Sequence, residues 1–236
     1  WLYNSMGVAA PRSTYVRLNI NDRYSGVYLL VENIDQQFIS SHFSDTEGTL
    51  YKELWPSMHP EMGWLTTEKI IKQRRTNKKS GAQFESIFTF AKQLQSNGDQ
   101  QAAAIQEWWS IDHLARFMAV DRATANNDGP MHFYCGKYKG KHYCSNHNYF
   151  LYHEASQDRM WLIPWDMDNS FALIEGTTEE HGLGASLFVS INYNWDDPNA
   201  PCKAAPGRIK QDWAPWQMPP SCDPFVNGLG YHFHEG

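Results

Sequence analysis

An apolar run that ends on two acids is the first feature of this chain with chemical content. In HNYFLYHEASQDRMWLIPWDMDNSF, residues 147–171, Met160 through Trp165 reads as a buried strand and leads straight into Asp166 and Asp168. A buried unpaired carboxylate is expensive, whereas one at the end of an element is met by water or a cation. Asn148 opens the preceding strand, and Asp128 lies in the polar stretch Asn126 to Pro130. Carboxylate oxygens with an amide oxygen suit Mg²⁺ better than zinc, and Mg²⁺ held by one or two side chains completes its shell with phosphates. Asp, Asn and Asp also recur here in the order used for phosphoryl transfer: an orienter or base, a metal ligand, then a ligand bridging phosphates. Lys52 and Glu32, at the ends of two strands expected to adjoin in one sheet, would supply a lysine for the α/β-phosphates and its orienting partner. A Lys/Glu pair in a sheet is also an ordinary cross-strand ion pair. Each acid has a plain structural use as well: Asp168 as a cap on NSFALIEG, Asp166 bonding amides in a tight turn, Asp128 closing a helix.

The elements that must position these residues follow from periodicity. TYVRLNINDRYSGVYLLVEN predicts a hairpin with its turn at NDRYSG and a second strand from Val27 to Glu32. Asp35 is expected to cap a short helix carrying Phe38, Ile39 and Phe43, after which TLYKEL forms a third strand. Residues 56–79 read as loop, with KQRRTNKK as a solvated face or helix end. Helices are expected in GAQFESIFTFAKQLQSN, in DQQAAAIQEWW, and after the Ser110 cap, the last with Ile111, Leu114, Ala115 and Met118 on one side. Beyond Phe171 the text turns Gly-, Pro- and Asn-rich, an irregular tail. The layout is α+β: a strand-rich part at 1–55 and a helix-rich part at 56–236 containing a hairpin, together fitting one domain of two lobes with a cleft.

Bulk properties narrow the function classes. The net charge of −6 argues against nucleic-acid binding through a broad basic field. No apolar run reaches the roughly 18 to 20 residues needed to cross a bilayer, so no membrane anchor is expected in this chain. A start at Trp1 and an end at YHFHEG read as a processed chain or fragment. Cys135 and Cys144 bracket a predicted hairpin turn, and Cys202 and Cys222 bracket a Pro-rich segment. Even count and loop context favour two disulfides and an oxidising compartment. Zinc, with His132, His142 and His147 near the first pair, is the rival, but C-x-x-C and H-x-x-x-H spacings are missing.

GVYLLVENIDQQFISSHF, GTLYK, NNDG and above all HNYFLY followed by WLIPWDMDNSF resemble the spore coat protein CotH kinase family, atypical secreted or surface-associated protein kinases. The resemblance spans about Pro11 to Phe171, and the HNY-to-WDMD block is its specific part. It implies a kinase-like fold that binds ATP and Mg²⁺ or Mn²⁺ and phosphorylates serine or threonine of an extracellular or cell-surface protein. By position it implies that Asp128 orients or deprotonates the acceptor hydroxyl, that Asn148 and Asp166 hold the metal, and that Lys52 touches the phosphates with Glu32 beside it. Asp168 would be a second ligand or a structural partner of the Asp128 loop. Two departures stand out: the Cys135–Cys144 segment reads as an insertion, and G-x-G-x-x-G is missing, so phosphates are not covered as in ordinary protein kinases. Trp161 or Met160 could pack on adenine, although a large apolar strand residue is core by default.

Two other classes fit the text. In a surface adhesin, Trp108, Trp109, Trp195, Trp213 and Trp216 would be exposed binding residues and the acids structural. A metal-dependent phosphodiesterase would use the same carboxylates on two ions, with His147 activating water.

Overall fold

The computed structural model describes residues 1–58, 64–78, 84–96, 98–124, 126, 128–130, 134–138 and 141–170. Helix α1 (Leu2–Ser5) precedes strands β1 (Ser13–Ile20) and β2 (Arg23–Val31), helix α2 (Gln36–His42) and strand β3 (Thr49–Lys52). Helices α3 (Thr67–Gln73), α4 (Glu85–Gln93), α5 (Asp99–Trp108) and α6 (Ile111–Ala123) follow. Strands β4 (Tyr134–Tyr138), β5 (Lys141–Ser145), β6 (Tyr149–Glu154) and β7 (Arg159–Pro164) lead to a 3-10 turn at Met167–Asn169. The class is α+β, as the sequence predicts.

The centre is an antiparallel sheet in the order β3-β6-β7. Its strands read as continuous apolar runs because both faces are covered. Leu151, Met160 and Leu162 face a core with Ile87, Phe90, Trp108, Trp109 and Phe117 from the helices. The intervening Phe150, Tyr152 and Ile163 face Phe38 and Ile39 of α2. Asp35 caps α2 as expected, accepting from the backbone N–H groups of Gln37 and Phe38. The open edge of β3 is covered by the basic run: Arg75 N–H donates to the Leu50 carbonyl at 2.7 Å, and Leu50 N–H donates to Thr76 Oγ1 at 2.9 Å. That run therefore does more than form a solvated face.

Four expectations need correction. β2 starts at Arg23, since Asn21 and Asp22 both take positive φ (49° and 63°) and make the two-residue turn that twisted hairpins favour. β1 and β2 form a sheet of their own, so β2 does not adjoin β3. Part of the stretch read as loop is α3, capped by Thr66. On α6 Leu114 and Met118 pack partly buried against the core as expected, but Ile111 and Ala115 are exposed and the buried residues are His113, Phe117, Val120 and Asp121, because the helix packs one face on β7 through His113. β3 pairs with β6, so the strand-rich and helix-rich parts of the chain share one sheet.

Candidate active site at one end of the central sheet

Antiparallel pairing brings distant residues to one end of the sheet. Lys52, at the end of β3, stands opposite Phe150, and Tyr149 stands opposite Pro164 at the end of β7. Asn148 just precedes β6, and its carbonyl accepts from Trp165 N–H at 3.1 Å. Asp166 is the next residue. Lys52, Asn148 and Asp166 thus emerge together because two hairpin-like pairings share β6.

Asp128 joins them from the loop after α6. Asn148 Nδ2 donates to Asp128 Oδ2 at 2.7 Å, across 20 residues of sequence. With its nitrogen committed to a carboxylate, the Asn148 side chain turns Oδ1 the other way, the atom with which an amide meets a cation. The loop is pinned beyond Asp128 too: Asn146 Nδ2 donates to the Pro130 carbonyl at 2.8 Å, and Tyr149 Oη donates to Asn146 Oδ1 at 3.0 Å. The buried Tyr149 hydroxyl titrates well above the ordinary tyrosine range, chiefly through burial and then through the charge of Glu53.

Both Asn148 (φ 59°) and Asp166 (φ 53°) are left-handed. Asn and Asp are the non-glycine residues that tolerate this conformation, and it aims each side chain out of the strand direction. Asp166 is exposed and makes no capping bond to the 3-10 turn that follows it. Asp168 sits within that turn, also exposed. Met167 between them packs on the helical core, with Asn126 Nδ2 at 3.7 Å from its sulfur, so the turn rests on the loop that carries Asp128.

The other expected residues lie differently. Glu32 accepts from Arg12 N–H at 3.0 Å and Arg12 Nε at 3.1 Å, which closes the base of the β1–β2 hairpin. This bonding from Arg12 holds its carboxyl below the usual carboxylate range. Its partner is Arg12 rather than Lys52, because β2 and β3 belong to different sheets. The Lys52 ammonium lies 6.0 Å from the centre of the Phe150 ring. Trp161 is half-buried against the α2-side core: Nε1 donates to Glu154 Oε2 at 2.9 Å, and the ring meets His113 edge-on at 5.1 Å. It stands opposite Tyr152, up the sheet from Asp166, and Met160 is fully buried, so neither is placed at this end.

Sequence reasoning misses Asp121, Asn126 and Asn146. Asp121 does leave a signal, since it falls on the apolar stripe of α6 one turn after Phe117 and is fully buried. Asn126 lies in a stretch whose pattern is that of a helix stop.

The donors suit a hard cation that keeps waters or phosphates in its shell: one amide oxygen and one exposed carboxylate. Among the described residues no three His, Cys, Asp or Glu side chains gather into a metal-binding group. The zinc alternative falls on His132 and on the side chains of Cys135, His142 and Cys144, which lie outside the described residues. Residues 1–214 match the family described as CotH kinase protein. The chain belongs to the CotH kinase protein family. Its kinase-like fold is therefore shared with that family, and the HNY-to-WDMD block forms the sheet end just described. A comparison with curated proteins returns no match. Among the described residues no helix is long and apolar enough to cross a membrane.

Proposed function

We propose that this CotH-family chain is an ATP- and Mg²⁺-dependent protein kinase acting on serine or threonine of a secreted or surface protein. The observation that carries the reading is the 2.7 Å bond between Asn148 and Asp128, at the sheet end where Asp166 and Lys52 also emerge. In this reading residues 1–236 form one kinase domain: 1–55 contributes Lys52 to the phosphates, and 56–236 contributes the acceptor and metal residues, joined through β3 and β6. Asp128 receives or aligns the acceptor hydroxyl, held in place by Asn148. Asn148 Oδ1 and Asp166 hold Mg²⁺ or Mn²⁺, which when bound neutralises charge on the transferring phosphoryl oxygens. Asp168 is a second ligand or steadies the turn. Glu32, engaged with Arg12, is given no part in the reading.

The secreted setting rests on the cysteines. Cys135 and Cys144 are directly opposite in the β4–β5 register, a separation that a disulfide spans. Cys202 and Cys222 lie outside the described residues. The adhesin alternative loses support where it can be examined, since Trp108 and Trp109 are buried core residues; Trp195, Trp213 and Trp216 lie outside the described residues. For the phosphodiesterase alternative, His147 Nε2 contacts Ser145 Oγ at 3.4 Å.

The test is incubation with γ-labelled ATP, Mg²⁺ or Mn²⁺ and a mixed protein substrate. Asp166→Asn is the informative variant, because it removes the charge while tolerating the left-handed backbone that Asp166→Ala would strain. Label transfer is expected from the parent chain and lost in Asp166→Asn, with a drop of about 10²–10⁴-fold in Asp128→Asn. Undiminished transfer by folded Asp166→Asn would refute the reading.

A further inference from the structure

The loop that carries Asp128 is held by more than its bond to Asn148. Asp121, fully buried on the last turn of α6, accepts from Asn126 Nδ2 at 2.8 Å. Its backbone carbonyl also accepts from Asn126 N–H at 3.1 Å. Asn126, 2% exposed, turns its other side-chain atom forward: Oδ1 accepts from Asp128 N–H at 3.4 Å. A chain of contacts therefore runs from the helix carboxylate, through one amide, to the backbone of Asp128, whose own carboxylate meets Asn148. The same Asn126 nitrogen touches Met167 in the turn that carries Asp166.

Two physical facts argue that this arrangement serves position. A buried carboxylate is costly to desolvate, and an apolar side chain on the apolar stripe of α6 would hold the helix as well or better. Its carboxyl lies beside Asn126 and near the Tyr3 hydroxyl, whose titration is raised mainly by burial and then by Asp121. The loop also closes onto the pair without slack: a Cβ at Gly129 would collide with Asn126 Nδ2 and sit 2.8 Å from Asp121 Oδ1. Hydrogen bonding sets the orientation of the Asn126 amide, nitrogen toward the Asp121 carboxyl and oxygen toward the Asp128 N–H.

We infer that Asp121 and Asn126 are positioning residues that fix the Asp128 backbone and so present its carboxylate to Asn148. For its catalytic consequence the inference rests on the kinase reading, but the positioning itself can be read without activity. Asn126→Ala removes the oxygen that accepts from Asp128 N–H. Asn126→Asp sets two carboxylates against each other. The exchanged pair Asp121→Asn with Asn126→Asp restores one donor and one acceptor in reversed order, and the carboxylate then at position 126 still accepts from Asp128 N–H.

The experiment measures hydrogen exchange of the Asp128 backbone amide and the Asn148 side-chain amide by NMR, with thermal melting of every variant alongside. Exchange at both groups is expected to accelerate by at least about tenfold in Asn126→Ala, and to return toward the parent value in the exchanged pair. Unchanged exchange in a folded Asn126→Ala chain overturns the inference. So does an exchanged pair that melts like the parent yet exchanges like Asn126→Ala. In transfer assays below the melting transition, kcat is expected to fall about 10–100-fold with KM for ATP within about twofold. A fall in kcat no larger than the unfolded fraction overturns the catalytic consequence. A parent chain that transfers no phosphate while exchange still responds to Asn126→Ala refutes the kinase reading and upholds the positioning.

Discussion

The side chains at the sheet end depend on backbone conformations that only a few residue types accept. Asn148 is left-handed, and an alanine there is disfavoured by about 1–2 kcal/mol, whereas glycine is not. Two replacements thus separate backbone from side chain. Asn148→Gly and Asn148→Ala both remove the bond to Asp128, but in urea denaturation Asn148→Ala is expected to be the less stable by about 1 kcal/mol. Equal stability would show that strain is absent at this position. Phosphoryl transfer, if it depends on the amide, should be weak in both. The residue types were legible in the sequence, since acids that end an apolar run stand out. Their left-handed backbone was not, because φ is set by how β6 and β7 are closed, not by identity alone. Asn126 escaped notice for a related reason: an Asn after a helix is commonly a stop signal, and only the loop's return onto α6 gives it partners.

Among the elements, β6 does most to bring the site together, because it pairs with both β3 and β7. The apolar runs of β6 and β7 were legible, and so was the cap on α2. The partner of β3 was not, because its pairing joins segments about a hundred residues apart and no local pattern encodes that choice. The expected neighbour, β2, instead stands in a two-stranded sheet with Glu32 tied to Arg12 at its base. Entry into β3 is narrow. Gly48 N–H donates to Tyr152 Oη at 3.1 Å, and that hydroxyl donates to the Asp45 carbonyl at 2.6 Å. A Cβ on Gly48 would run into the His153 carbonyl oxygen and the Tyr152 ring. Since the obstructing oxygen is backbone, it cannot swing aside. Gly48→Ala is expected to destabilise the chain by about 1–3 kcal/mol in urea denaturation. Tyr152→Phe, which orphans a buried N–H, should fall in the same range of about 1–3 kcal/mol. A neutral Gly48→Ala would mean that β3 can shift along β6, and with it Lys52.

At the scale of the molecule, the helix that leads into the Asp128 loop is fastened to the sheet by a group that titrates. His113 of α6 lies against β7, its Nε2 3.1 Å from the Leu162 carbonyl. Burial pushes its pKa down to about 4, against smaller upward pulls from the Leu162 bond and from Asp112. The ring is therefore neutral at pH 7, and Nε2 must carry the hydrogen that the carbonyl accepts. His153, beside Asp158, is also lowered, again mainly by burial. The sign follows from proton binding. Below about pH 6.5 the unfolded chain takes up a proton at residue 113 that the folded chain refuses until about pH 4, so stability rises with pH across that window. His113 alone should remove about 2 kcal/mol between pH 7 and pH 5 and approach about 3 kcal/mol near pH 4. Glu32, Asp35 and Asp45, whose carboxyls are held low by hydrogen bonds, add losses at more acidic pH. His113→Gln keeps a donor for Leu162 but does not titrate. Its stability loss between pH 7 and pH 5, measured by urea denaturation, should be smaller than the parent's by about 2 kcal/mol. An identical loss in both chains would mean that α6 leaves the sheet without protonating His113, and that acid reaches the site by another route.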